Sequence, residues 1–223
     1  PPPPEKPWHC YILPCLDRAG LASHLMTATQ VDVGGDASCA VTTDGRVLCW
    51  GQGDTLARGI AGITTAVDVS VGEGHACAAM ADGTLRCWGR NDTGQLGQGT
   101  ATSGSSGPVT VTIPGISFVT DVSAGAGRTC AVGVATGALS STDTRVACWG
   151  ENATGAVGDG TTTLRTFPAV VPTLGRGVTD VDTGVSHTCA VVATRVECWG
   201  SNSSGQLGNG TFTSSTRPVA VLD

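Results

Sequence analysis

The sequence predicts an all-β protein built from four repeats of an antiparallel meander, and three observations carry that reading. Gly supplies 33 of 223 residues, about twice its usual share of roughly 7%, while charged residues make up only 13%, so turns are many and charged helices few. Ten cysteines fall as Cys10/Cys15, Cys39/Cys49, Cys77/Cys87, Cys130/Cys148 and Cys189/Cys198, and the last four pairs sit in near-identical surroundings. Within those surroundings V-x-V alternation and short apolar runs follow the period of a strand, with no helical period.

The same composition excludes several classes. Net charge is −6, with a single Lys, Lys6, and no basic run, so a surface that tracks phosphates has little to be built from and nucleic acid is excluded as a partner. No stretch approaches the roughly 18 apolar residues of a membrane helix. The chain opens on Pro with no initiator Met and no apolar signal core, which reads as a processed protein or a fragment. An even, regularly spaced set of cysteines points to an oxidising, exported environment.

Taken in order, residues 1–29 form an N-terminal arm. Pro1, Pro2, Pro3, Pro4 and Pro7 favour a stiff, solvated polyproline II segment, and the stretch between Cys10 and Cys15 is a candidate added strand. Repeat 1 spans 30–65, repeat 2 spans 66–118, repeat 3 spans 119–177 and repeat 4 spans 178–223. First cysteines are separated by 38, 53 and 59 residues, around the length of one β-propeller blade or solenoid unit.

Hairpin register then sets the cysteine pairing. In repeat 1 a three-residue loop of Thr43, Asp44 and Gly45, with Gly in the left-handed position, makes Thr42 face Arg46 and therefore Cys39 face Cys49. Repeat 2 repeats the count through Ala81, Asp82 and Gly83, so Cys77 faces Cys87. In repeat 4 the loop shrinks to Ala193 and Thr194, and Cys189 still faces Cys198. Opposed residues at a non-hydrogen-bonded site stand about 4.5–5.5 Å apart at Cβ, close to disulfide reach. Repeat 3 has a longer excursion, so Cys130 with Cys148 follows by analogy, and Cys10 with Cys15 by elimination. The competing readings are weaker: reduced cysteines as small apolar residues, or zinc, for which no C-x-x-C pair exists.

The repeats share D-V-S-x-G-x-x-H-x-C-A, then C-W-G, then N-x-x-G-Q-L-G-x-G-T. The best copies run from Gly74, His75, Ala76 and Cys77 through Cys87, Trp88 and Gly89 to Gly94, Gln95, Leu96 and Gly97, and from Ser186, His187, Thr188 and Cys189 to Gly205, Gln206, Leu207 and Gly208. On these residues the chain resembles the regulator of chromosome condensation repeat family over about 30–223. Repeat 3 carries Gly155, Ala156, Val157 and Gly158 in place of G-Q-L-G, and repeat 1 lacks the segment. The resemblance implies β-propeller blades, usually seven to a ring, with functions from nucleotide exchange on a nuclear GTPase to secreted β-lactamase inhibition and light sensing. Fold transfers from such a resemblance and function does not. Paired cysteines and an acidic, Lys-poor chain suit an extracellular member, and four units are too few for a seven-bladed ring. A tight four-bladed ring, a longer parent chain, or association of copies would each cover the exposed edges.

The candidate sites follow. Asn91, Asn152, Asn202 and Asn209 all lie in N-x-[ST] sequons. The first three occupy a repeated turn position, for which turn geometry is the competing explanation, whereas Asn209 lies outside it. Pro1, Pro2, Pro3 and Pro4 beside Ser/Thr-rich loops are candidate hydroxyproline glycosylation sites. Trp50, Trp88, Trp149 and Trp199 are repeat-equivalent and fill space between blades, with carbohydrate stacking as the alternative. His75 and His187 share a repeat position that serves packing or a local hydrogen bond, and His9 and His24 are isolated. No nucleophile elbow, phosphate loop or metal-spaced cluster is present, so the expectation is a non-enzyme with no cofactor and no metal. Its expected partners are copies of itself and covalent glycans, and its expected place is the cell exterior, including a surface appendage. The rival expectation is a secreted binding module or inhibitor that uses one propeller face.

Overall fold

The computed structural model describes residues 27–222. These residues form sixteen strands in four antiparallel four-stranded sheets, each a simple up-and-down meander. The first sheet contains β1 (Ala28–Gly34), β2 (Ala37–Thr42), β3 (Val47–Gly51) and β4 (Asp54–Gly59). The second contains β5 (Ala66–Val71), β6 (His75–Met80), β7 (Leu85–Asn91) and β8 (Thr102–Val111). The third contains β9 (Ile116–Ala124), β10 (Arg128–Ala135), β11 (Thr144–Gly150) and β12 (Arg165–Val170). The fourth contains β13 (Val178–Thr183), β14 (His187–Val192), β15 (Arg195–Gly200) and β16 (Ser215–Ala220). The first strand starts at Ala28, inside the segment that sequence assigned to the arm.

Hairpin registers agree with the loop counting. Cys39 pairs with Cys49, Cys77 with Cys87 and Cys189 with Cys198. The long third hairpin keeps the same register, with pairing from Arg128 and Gly150 out to Val134 and Thr144, so Cys130 meets Cys148. All four pairs are disulfides with Cα separations of 4.0–4.1 Å. The two-residue turn of the fourth sheet places Ala193 at φ 55°, the left-handed backbone that so short a hairpin demands. Cys10, Cys15, Pro1, Pro2, Pro3, Pro4, His9 and His24 lie outside the described residues.

The sheets stack as blades of a propeller. Their first strands touch one another in sequence, β1 with β5, β5 with β9 and β9 with β13, and each second strand also reaches the next blade's first strand. The apolar cores lie between the blades. One cluster joins Cys39, Val41 and Val47 of blade 1 to Val69, Val71, Ala76, Ala78 and Trp88 of blade 2. Others join blade 2 to blade 3 through Cys77, Leu85, Leu96, Val122 and Trp149, and blade 3 to blade 4 through Cys130, Val146, Val157, Val181 and Trp199. Each of these larger side chains contributes about 1.5–3 kcal/mol by leaving water, so the joints hold the array together.

The Gly of each C-W-G motif has a steric cause. Gly150 sits at φ 103°, and a Cβ there would stand 2.4 Å from the Gly127 carbonyl, so only Gly lets the strand leave the tryptophan and bend.

Candidate functional site at the blade joints

The most elaborate chemistry of the molecule lies in the joint between blades 2 and 3. Asn91 builds the turn that closes it: its Oδ1 accepts the Leu96 amide at 3.0 Å, while its Nδ2 donates to Thr100 O and Thr102 Oγ1, each at 3.0 Å. The turn thereby aims the Gln95 carbonyl at blade 3. There Trp149 Nε1 donates to it at 2.8 Å and Thr129 Oγ1 at 2.9 Å. Gly97, at φ 68°, gives the indole its room, since a Cβ would lie 2.9 Å from Trp149 Nε1.

His75 completes this latch. Its Nε2 lies 2.9 Å from Thr129 Oγ1. The threonine's proton is committed to Gln95, so the imidazole donates from Nε2 and carries its proton there. Burial, reinforced by the Arg90 charge, pushes the His75 pKa down to about 4 and keeps the ring neutral.

The joint between blades 3 and 4 uses the same plan with different side chains. Thr188 Oγ1 and Trp199 Nε1 both donate to the Ala156 carbonyl at 2.9 Å. Arg128 stands where His75 stood and donates to the carbonyls of Gly184 and His187 at 3.0 and 3.1 Å. Burial lowers its pKa to about 10 against the opposing charge of Glu151, so the guanidinium stays protonated.

A second polar row runs along the innermost strands. Each blade's first strand is a sheet edge, and from blade 2 onward the preceding blade covers its outward amides with a side chain. Gln30 accepts Val69 N at 3.0 Å, Asp68 accepts Val122 N at 3.2 Å and Asp121 accepts Val181 N at 3.1 Å. Two residues further on, Asp32 accepts Val71 N at 2.7 Å, Ser70 accepts Ala124 N at 3.0 Å and Ser123 accepts Thr183 N at 3.0 Å. Stacked acids share this row, so burial first, and Asp68 second, raise the Asp121 pKa to about 6. Burial likewise raises Asp68.

The joint between blades 1 and 2 is built differently. Repeat 1 turns tightly at Gln52 and Gly53 straight into β4, with no G-Q-L-G turn to close over blade 2. A cleft of about 50 Å3 remains, lined by the Cys39–Cys49 disulfide, Ile60, Val71 and Ala76, room for more than one water-sized body. Ala76 stands where Thr129 and Thr188 make their hydroxyl bonds, so this joint also lacks that donor.

Among the described residues, the ends of the array present joint surfaces without a neighbour. Val31 and Val33 of β1 are 60% and 67% exposed, whereas their equivalents Val69, Val71, Val122 and Val181 are buried against a preceding blade. Trp50 is half-buried, while Trp88, Trp149 and Trp199 are fully buried. At the far end Val196 is 42% exposed, although its equivalents Val47, Leu85 and Val146 are fully buried.

The sequons divide by geometry. Asn152 and Asn202 repeat the role of Asn91, their Oδ1 accepting Val157 N at 2.9 Å and Leu207 N at 2.8 Å, and their amides donating to Thr161 O and Thr211 O. All three side chains are buried, so a sugar on any of their Nδ2 atoms would require the turn to open. Asn209 differs. It is half-buried, its Oδ1 accepts Thr211 N, and its Nδ2 makes no hydrogen bond among the described residues.

Sequence reasoning singled out the tryptophans, the histidine position and the turn asparagines, and the joints bring them together. It missed Thr129, Thr188 and the inner row of Gln30, Asp68 and Asp121. Their signal was available in the aligned repeats, where a hydroxyl precedes the first cysteine in three of the four copies and a polar residue recurs in the inner strand. Among the described residues no cluster of three or more His, Cys, Asp or Glu is placed to hold a metal, and no helix is long and apolar enough to cross a membrane.

No curated protein matches the chain in sequence. Human WBSCR16 is similar in structure, with a TM-score of 0.75 and 22% identity over 88% of this chain and 53% of its own. Yeast RCC1 (Prp20), crystallised with Kap60, gives 0.76 and 19% over 89% of this chain and 49% of its own. A second Saccharomyces cerevisiae Prp20p structure, described with binding to Gsp1p and histones, gives 0.75 and 19%. The chain spans about half the length of these proteins, and at such identities they show the fold alone. Models of the Regulator of chromosome condensation (RCC1) repeat match residues 28–54 and 66–95, and again 82–132 and 143–191. With propeller blades, joint tryptophans and repeat turns in these positions, the chain belongs to the RCC1 repeat family.

Proposed function

We propose that this chain is an extracellular, non-enzymatic structural protein whose propeller blades join further blades of the same kind, making it a subunit of a surface layer, filament or cell-surface appendage. One observation carries the reading: the groups that bind blade to blade inside the array stand again, unpartnered among the described residues, at both of its ends. Four disulfides support an oxidising location, where such bonds persist. Asn209 is the sequon proposed to carry a glycan in the folded protein, because its amide is spare. The joint groups Thr129, Trp149, Thr188 and Trp199 are read as structural, because their donors are spent on the Gln95 and Ala156 carbonyls.

Light scattering with negative-stain imaging of unreduced material tests this reading. Fibres, arrays or defined oligomers are expected. A uniform particle near the 22.2 kDa of the chain contradicts it. That outcome would favour the second reading, a secreted protein-binding module or inhibitor, which the exposure of Phe118, Phe167 and Phe212 supports.

A further inference from the structure

We infer that the partner of each open end is the opposite end of a second copy, joined head to tail by a duplicate of the joint between blades 2 and 3. This rests on the structural reading above and names its contact. Blade 4 offers His187 and a Gly205, Gln206, Leu207, Gly208 turn, the same set that blade 2 offers as His75 and Gly94, Gln95, Leu96, Gly97. Blade 1 offers Ser38 and Trp50 where blade 3 offers Thr129 and Trp149. Inside the chain, those four groups meet through His75 Nε2, Thr129 Oγ1, the Gln95 carbonyl and Trp149 Nε1. At the ends, His187 Nε2, Ser38 Oγ, the Gln206 carbonyl and Trp50 Nε1 make no hydrogen bond among the described residues. Donors and acceptor therefore match in number and type.

The match extends beyond the latch. The amides of Val31 and Val33 lie on the edge of β1 that no other strand pairs with among the described residues, equivalent to the Val69 and Val71 amides that Gln30 and Asp32 cover. Asp180, in the place of Asp121, is exposed and accepts no hydrogen bond among the described residues. The apolar faces also agree. Val31 and Val33 would lie over the half-buried Cys189, Val191, Val196 and Val221, as Val122 lies over Cys77, Cys87 and Leu85. By contrast, blade 2 presents Ala76 in place of the hydroxyl, so blade 1 is a better acceptor of the Gly-Gln-Leu-Gly turn than the blade that follows it. The two surfaces are different, so the contact is heterologous, and it extends into a chain unless its rotation closes a ring.

Two double variants test the joint by mixing. Val31→Lys with Val33→Lys blocks the blade 1 end, and Val196→Lys with Val221→Lys blocks the blade 4 end. All four side chains are exposed in the single chain, so both variants fold. In sedimentation of the full chain, wild type is expected to form assemblies, each variant alone to stay monomeric, and the two mixed to form one-to-one dimers and nothing larger. Trp50→Phe, which keeps the ring and removes the N–H, is expected to weaken association about tenfold. Assemblies that persist in both variants would overturn this joint while leaving self-assembly standing. A monomeric wild type would overturn both.

Discussion

The joint between blades 2 and 3 and the joint between blades 1 and 2 have the same strands, the same disulfide position and the same tryptophan, yet one is sealed and the other keeps a cleft. The difference is one turn. Where Asn91 can fix a Gly-Gln-Leu-Gly segment, a single carbonyl gathers two donors from the next blade and Leu96 fills the apolar gap. Where repeat 1 turns early into β4, both the carbonyl and the leucine are missing. Blade packing is thus general to the fold, while closure of a joint depends on a short loop that any repeat can lose. The fold tolerates that loss because the inner row of Gln30 and Asp32 still ties blade 1 to blade 2.

Replacing the joint tryptophans gives the largest contrast. Trp149→Ala, at a fully buried position, is expected to cost about 3–5 kcal/mol in chemical denaturation, against about 1 kcal/mol or less for Trp50→Ala in the single chain. Equal losses would mean that Trp50 has a hidden neighbour. Next comes the latch hydroxyl. Thr129→Val keeps the volume but leaves His75 Nε2 unpaired and Gln95 with one donor, a cost of about 1–3 kcal/mol by the same measurement.

The inner row adds a pH dependence with two opposed parts. Asp121 titrates near 6 in the fold and near 3.8 when unfolded, so between those values the folded chain holds a proton that the unfolded chain has released. Its contribution therefore falls as pH rises through that window, by up to about 3 kcal/mol. His75, near 4 in the fold against 6.5 unfolded, works the other way, and stability is lost as pH falls from 6.5 toward 4. Asp121→Asn keeps an acceptor for the Val181 amide and removes the first part. The variant is expected to be more stable than wild type at pH 7, by about 1–3 kcal/mol, and to gain stability steadily between pH 4 and 6.5. Thermal melts across that range check the sign.

The smallest expected effect belongs to the cleft. Gly59 lines it, has ordinary backbone angles, and a Cβ there would meet only Leu48 at 3.7 Å. Gly59→Ala is expected to stabilise the chain by about 0.4–1 kcal/mol. A loss on thermal melting would show that the cleft side of β4 is tighter than its geometry implies.

Much of the fold was legible because it repeats. Two hairpins with Gly at the loop tip, Gly45 and Gly83, and the two-residue turn at Ala193 and Thr194 fix a register from local counting alone, and the third disulfide followed by analogy although its loop gave no count. The joints were harder to read. Thr129, Gln95 and Trp149 are far apart in sequence, and what binds them is a main-chain carbonyl, which leaves no mark in residue type. The sequons carry two readings for a related reason. Asn91, Asn152 and Asn202 match a glycosylation pattern, and the turn also uses Asn for its amide and oxygen together, a role that only the folded turn displays. The inner acids were visible as a repeated Asp, yet their role requires a neighbouring strand edge that only the stacked blades supply.

The central claim is that a captured carbonyl closes the joints between blades 2 and 3 and between blades 3 and 4, and exchange of the tryptophan indole protons tests it most directly. In 15N-labelled protein carrying Val196→Lys and Val221→Lys, which holds the chain monomeric, the Trp149 and Trp199 indole N–H groups are expected to exchange at least about a hundredfold more slowly than that of Trp50. Exchange of Trp149 as fast as Trp50 would contradict the account.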